Sequence, residues 1–331
     1  MLKIYFSPDD ILRTRVAPGA DPLWELILSV HVLQVRSRDP LTSGWRRGVS
    51  RELRRHVGKE QLRLLFTLNP GQGYFPDFLT PHDSVQGLEA GLDAVRSTPV
   101  PLLHRDLTRL VAGHPLPPSA AALARGEPEL LRQLTDSMEQ YRALALSPYW
   151  PHIQAAVEAD RARRARALLD RGVEGLLAGL RPMARWESGV LEIHGYPDSR
   201  ELHLDGRGLL LVPSFFCAST PVALLDPALP PVLVYPVDRL GGLAHTAGAG
   251  GATGSGREAL AALLGRTRAA VLEATDEGCT TGEVARRLRI SPAAASQHAT
   301  VLRNAGLLVS HRDRNTVLHT LTPLGRAILD A

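Results

Sequence analysis

The side chains whose types and spacing could do chemistry gather near the C-terminus, in the run TTGEVARRLRISPAAASQHATVLRNAGLL from Thr280 to Leu308. Ser296, Gln297 and Thr300, with Ala293 a turn earlier, fall on one face if the segment is helical. They are short or hydrogen-bonding groups, and an amide such as that of Gln297 pairs with an adenine edge through one donor and one acceptor. A helix that only built a core would carry large apolar or long charged residues there. Around this face Arg286, Arg287, Arg289, Arg303, Arg312 and Arg314 stand against one acid, Asp313, in a chain whose net charge is only +4. Arginines so placed suit phosphate. The chemistry on offer is recognition of double-stranded DNA. Ser291, Ala293, Ser296, Gln297 and Thr300 would act from a helix in the major groove, with Arg303 on that helix and Arg312 and Arg314 at a tip beside it on phosphate.

Reaction chemistry has no comparable support. His104-Arg105-Asp106 copies the tripeptide of a protein-kinase catalytic loop, but Val111 stands where that loop needs its metal-binding Asn, and no glycine loop precedes it. The triplet reads as coincidence on a helix surface. Gly254, Gly256 and Ala259 have a loose dinucleotide-fingerprint spacing with no strand before them. No GxSxG elbow, HExxH pair or GxxxxGK[ST] loop occurs, and the twelve histidines show no ligand spacing. Neither an enzyme nor a cofactor is expected.

The elements that must position the recognition residues are legible around them. Thr280 and Glu283 have capping-box spacing and start a helix with Val284, Ala285 and Leu288 inward. After a short turn, Ser291 and Pro292 restart a helix as N-cap and first residue. Ala295, Ala299 and Leu302 face inward, and Gly306 stops the helix. Small inward residues on both helices permit the close crossing of a helix-turn-helix. Leu307 to Val309 and Val317 to Leu321 then read as the strands of a wing with Arg312 to Asn315 at its tip. Thr322 and Pro323 cap a last helix, Leu324 to Leu329, and Leu260 to Ala274 reads as the first helix of the module.

Ile290-Ser291, Ser296-Gln297-His298 and Leu302-Arg303-Asn304-Ala305-Gly306-Leu307 resemble the ArsR-type winged-helix family over about Leu260 to Leu329. The resemblance implies a homodimeric repressor of transcription, with Ser296, Gln297 and His298 matching its DNA-contacting stretch. The metal sensors of that family carry a cysteine pair in the helix before the recognition helix. Here that helix has none, and Cys279 stands alone before it, so metal sensing of that kind is not expected. The chain from LKIYFSPDDILRTR through DPLWELILSVH also resembles larger regulators of high-GC bacteria whose N-terminal domain has no assigned function, and the use of 36 Arg and 2 Lys agrees with that origin.

The remainder reads as an α+β fold: a mostly helical N-terminal domain with a small β-sheet, followed by the winged helix-turn-helix. Asp21 and Pro22 open a helix carrying Leu23, Leu26, Ile27, Val30 and Leu33 inward. Further helices read over Leu41 to His56, Ser84 to Ser97, Pro101 to Val111, Glu127 to Leu146 and Pro151 to Leu180. Short β-rich runs follow at Val190 to His194, Glu201 to Asp205, Leu209 to Val212 and Pro231 to Val237. The domain limits are then 1–246, a flexible linker AGAGGATGSG within 247–256, and 257–331.

The length suffices for two or three domains with cores of their own. Two cysteines, Cys217 and Cys279, build no disulfide framework and no four-cysteine zinc site, which suits a cytoplasmic protein. Charges within the first twenty residues argue against a secretory signal. Gly208 to Leu225 is uncharged, but its prolines favour buried strands over a membrane span.

Pro70 to Pro81, PGQGYFPDFLTP, gathers Tyr74, Phe75 and Phe78 in a loop that suits either surface packing or a cover over an organic ligand. Phe215 and Phe216 with Trp186 read as core or as pocket wall, and Asp160 to Arg171 as a solvated arginine face. An N-terminal domain that dimerises, senses a small organic effector, or both follows from architecture alone. The alternatives are an enzyme or a protein-interaction domain fused to the winged helix.

Overall fold

A computed structural model describes residues 1–35, 40–71, 73–111, 118–218, 220–239, 255–276, 278–313 and 316–329. The chain is α+β and divides into two units, Met1–Leu243 and Ala244–Ala331. In the first, β1 (Leu2–Tyr5), α1 (Pro8–Arg13) and β2 (Arg15–Val16) precede a run of helices. These are α2 (Pro22–Gln34), α3 (Pro40–His56), α4 (Lys59–Leu68), α5 (Leu88–Arg96), α6 (Val100–Val111), α7 (Pro118–Leu123), α8 (Pro128–Ala145) and α9 (Trp150–Ala178). Strands β3 (Arg185–Glu187), β4 (Val190–Ile193), β5 (Arg200–His203), β6 (Leu210–Ser214), β7 (Val222–Ala223) and β8 (Val232–Pro236) complete it.

The single small sheet expected is two. One has the order β3-β4-β1-β5 and the other β2-β6-β8-β7. In the first, Ile4 stands opposite Leu191 on its antiparallel side and Leu202 on its parallel side. In the second, β6 and β8 run parallel with Leu211 opposite Leu233 and Val212 opposite Val234. Alternation along a strand sends successive side chains to opposite faces. Leu210, Val212, Val232 and Val234 therefore join the helical core with Leu23, Ile27, Trp45, Leu65 and Tyr141. Leu211, Leu233 and Tyr235 join a second core with Leu2, Ile4, Leu191 and Ile193. With both faces covered, β6 is buried at every residue, which is why Gly208 to Leu225 carries no charge.

Buried carboxylates tie the helices to this second sheet. Glu25 on α2 is wholly buried and accepts hydrogen bonds from Phe215 N (2.7 Å), Phe216 N (3.0 Å) and Ser214 Oγ (3.1 Å). Burial pushes its pKa up to about 7 against the pull of those donors. Asp77 accepts from Leu225 N (3.1 Å) and Asp226 N (2.8 Å), and burial pushes it up to about 6. Asp106 of the kinase-like triplet is buried, not on a surface, and receives Phe78 N at 3.0 Å. Asp160 and Arg164 are likewise buried, joined to each other and to the Tyr235 hydroxyl, which donates to Asp160 at 2.6 Å. The arginine face read over 160–171 is thus solvated only in part. Cys217 and Cys279 are buried in separate units, and burial pushes the Cys217 thiol up to about 12.

Several helix limits differ from the expected ones. Ser84 to Ser97 holds a 3₁₀ turn, His82–Gln86, then Gly87 at φ 134°, then α5. The long helix deviates at Gly172, φ 66°, and α4 has no counterpart among the expected helices. Of the linker, 247–254 lie outside the described residues, and Ser255 and Gly256 already belong to the next helix. No described helix is long and apolar enough to cross a membrane.

The second unit runs α10 (Ser255–Leu264), α11 (Arg266–Ala274), β9 (Cys279–Thr280), α12 (Thr281–Leu288), α13 (Pro292–Asn304), β10 (Leu308–Asp313), β11 (Thr316–Leu321) and α14 (Pro323–Leu329). Its sheet has the order β10-β11-β9. The first helix of the module is broken in two at Gly265, φ 83°, a conformation that glycine alone adopts freely.

Candidate nucleic-acid interface

Three local devices set α12, the turn after it and the start of α13. Thr280 N donates to Glu283 Oε2 at 2.8 Å while Glu283 N donates to Thr280 Oγ1 at 3.3 Å, closing the capping box at the start of α12. The hydrogen bonds from Thr280 hold the Glu283 carboxyl below its usual range. At the other end Arg289 adopts the left-handed conformation, φ 54° and ψ 43°, and Ile290 N returns to Ala285 O at 3.0 Å. That conformation costs a side-chain-bearing residue roughly 1–2 kcal/mol, so the tight turn is held against strain. Ser291 then caps α13, its Oγ accepting from Ala294 N at 3.1 Å, with Pro292 as the first helical residue.

Packing divides α13 into two faces. Ala295, Ala299 and Leu302 are buried with Val271, Leu272, Val284 and Ala285 in one core. On the opposite side Ala293, Ser296 and Gln297 are exposed and Thr300 is half-buried. Asn304 is exposed two turns beyond Gln297 on the same strip, and Val301 is 42% exposed at its border. Sequence reading did not single these two out as contacts, although the seven-residue step from Gln297 to Asn304 was there to be read. His298 is half-buried and lies about 100° round the helix from Gln297, so the strip does not include it. Ser291 is exposed at the helix start, and Arg286, Arg287, Arg289 and Arg303 are all exposed.

The wing is fixed to this helix pair through a buried histidine. In the β10–β11 register Ser310 stands opposite His319, and Arg312 opposite Val317. His319 is buried, with Nε2 2.8 Å from Thr281 Oγ1 on α12 and Nδ1 2.8 Å from Ser310 Oγ on β10. Burial, helped by the nearby Arg303 charge, lowers its pKa. Arg303, in the last turn of α13, therefore lies near enough to this wing histidine for its charge to act on it. Arg312 belongs to β10, but its side chain and the whole of Arg314 lie outside the described residues. Cys279 is part of the core, its thiol donating to Ala274 O at 3.1 Å. Among the described residues no group of three or more His, Cys, Asp or Glu is placed to hold a metal ion.

A family model described as a helix-turn-helix domain matches residues 263–311, from the end of α10 to the middle of β10. No curated protein and no solved structure matches the chain in the corresponding comparisons. The chain carries a C-terminal helix-turn-helix domain, which suggests a DNA-binding regulator of transcription.

Proposed function

We propose that this is a cytoplasmic, sequence-specific transcription repressor of the ArsR-like kind. In this reading it binds double-stranded DNA as a homodimer, catalyses no reaction and senses a small organic effector through its N-terminal unit. The observation that carries the DNA reading is the strip of exposed Ala293, Ser296, Gln297 and Asn304 with half-buried Thr300, free of bulky side chains and in a unit with exposed Arg286, Arg287, Arg289 and Arg303. Such a strip enters a major groove without steric penalty and offers amides and hydroxyls to base edges, while the arginines meet phosphate. Support for the dimer comes from Leu263 on α10 and Leu324 on α14, 74% and 54% exposed on two helices in mutual contact. Apolar side chains left in water there suit burial by a second copy.

The test uses an operator selected from random duplexes and a scrambled control, titrated at several salt concentrations. Gln297→Ala is expected to cost about 1–3 kcal/mol on the operator and to leave the control unchanged. Arg303→Ala is expected to weaken both duplexes alike and to reduce the salt slope by about one unit. Equal loss on both duplexes for Gln297→Ala, or none on either, would remove α13 from the groove.

A further inference from the structure

The Met1–Leu243 unit holds a cavity of about 570 Å³ between α2, the loop at 73–77, the approach to β5 and the segments flanking β7. That volume lies in the range of organic-ligand sites, roughly 300–1,000 Å³. Its walls are mainly apolar and carry five aromatic rings. Trp24 comes from α2, Tyr74 and Phe75 from the proline- and glycine-rich loop, Tyr196 from the approach to β5, and Phe216 from the turn after β6. Rings with no atoms facing them forfeit dispersion contacts, so such a space tends to collapse unless its walls are braced.

Two buried carboxylates supply the bracing. Asp77, in the aromatic loop, holds Leu225 N and Asp226 N beyond β7, and Glu25 on α2 holds Phe215 N and Phe216 N beyond β6. Both sit where burial opposes their ionisation. The loop is therefore pinned to the segment after β7, and the turn after β6 to α2.

The charges on the wall are few. Asp77 is occupied by backbone N–H groups, Asp198 is exposed, and His31 has its Nδ1 2.9 Å from Pro70 O with its pKa lowered by burial. Arg200 is the one guanidinium among the lining residues. Its Nη2 donates to Leu225 O at 3.1 Å and its guanidinium lies beside the Tyr196 hydroxyl, while Nη1 has no hydrogen-bond partner among the described residues. A half-buried guanidinium in the wall of a largely apolar space suits an anionic group on a ligand, and a carboxylate matches the guanidinium fork.

We propose that this cavity binds one small, largely apolar organic carboxylate per chain, its apolar body between Trp24, Phe75 and Phe216 and its carboxylate on Arg200. The proposal gives chemical content to the effector-sensing part of the reading above and does not depend on its DNA-binding part.

The full chain is titrated calorimetrically with naphthoate, biphenyl carboxylate and decanoate, and with the neutral amide of each. At least one acid is expected to bind one to one, with its amide weaker by about tenfold or more. Arg200→Met is expected to bring the acid down to the level of its amide and leave amide binding unchanged. Ala218 lines the cavity and is exposed, so Ala218→Trp is expected to fill the space and abolish binding of both, with the melting transition preserved. Silence from every probe at millimolar concentration, or acid binding that survives both variants, would overturn the site. An acid that binds no better than its amide would overturn the carboxylate assignment. Should Arg200→Met not fold, Ala218→Trp fixes the location and the acid–amide pairs fix the charge. Duplex binding by the unliganded chain is measured separately, so failure of the DNA reading leaves these titrations interpretable.

Discussion

Two glutamates perform the same task at very different range. Glu283 receives the backbone N–H of Thr280, three residues away, at a helix start open to water. Glu25 receives Phe215 N and Phe216 N, 190 and 191 residues away, from inside the core. The first satisfies orphan donors with a charge that stays solvated. The second satisfies them with a charge that must be dehydrated, and its pKa rises accordingly. The first device acts along the chain and the second across it.

The sharpest way to break this comparison is to remove both acceptors. Glu25→Ala leaves two buried backbone N–H groups and the Ser214 hydroxyl without a partner, together with a small cavity, and should cost about 3–5 kcal/mol. Trp24, Trp45, Trp150 and Trp186 all lie in the Met1–Leu243 unit, so tryptophan fluorescence during urea unfolding reads that unit alone. Thr280→Ala, by contrast, should cost the winged unit about 1 kcal/mol, measured by amide hydrogen exchange over 280–321. Similar costs for the two variants would refute the distinction.

A second test uses pH, with an intermediate expected effect. Glu25 is raised from 4.5 to about 7, so between those values the folded state holds a proton that the unfolded state has released. Its contribution is full below pH 4.5 and is lost as pH rises through 7, a change of about 3 kcal/mol. Asp77 acts in the same direction, while His31 and His152, both lowered, oppose it. In the winged unit His319 is lowered from 6.5, so stability present above that pH is lost as pH falls below it. Opposite pH slopes are expected for the two units, and Glu25→Gln should flatten the first. Parallel slopes would overturn the assignment of either group. The smallest effect expected is the one on the local cap, Thr280→Ala.

The same contrast explains what could be read in advance. Thr280 with Glu283, Ser291 with Pro292, and Gly306 are signals complete within a few residues, and the helices they bound lie where the spacing puts them. The break at Gly265 went unread because apolar spacing continues across it through Leu260, Leu264 and Val271. In the N-terminal unit Asp21 and Pro22 marked α2 for the same local reason. Strand β1 did not show, because LKIY is too short to display a period and its partners lie near residues 190 and 200. Arg164 repeats at helical spacing like a solvated residue, and only its pairing with Asp160 beside Tyr235 reveals that it faces inward. The aromatic loop was legible as composition. Its cavity was not, since the opposite walls come from Tyr196 and Phe216.

The position of β1 has a consequence for how the protein is made. Leu2 pairs in parallel with Arg200, so the inner strand of the first sheet leaves the ribosome 198 residues before one of its two neighbours. At roughly 5–20 residues per second, that interval lasts on the order of ten to forty seconds. During it both edges of a strand with one apolar face stand open to any other nascent chain on the same message. Slowed translation before Arg200 should therefore raise aggregation during synthesis, whereas the winged unit, whose strands β10 and β11 are joined by a short tip, completes its sheet almost as it emerges.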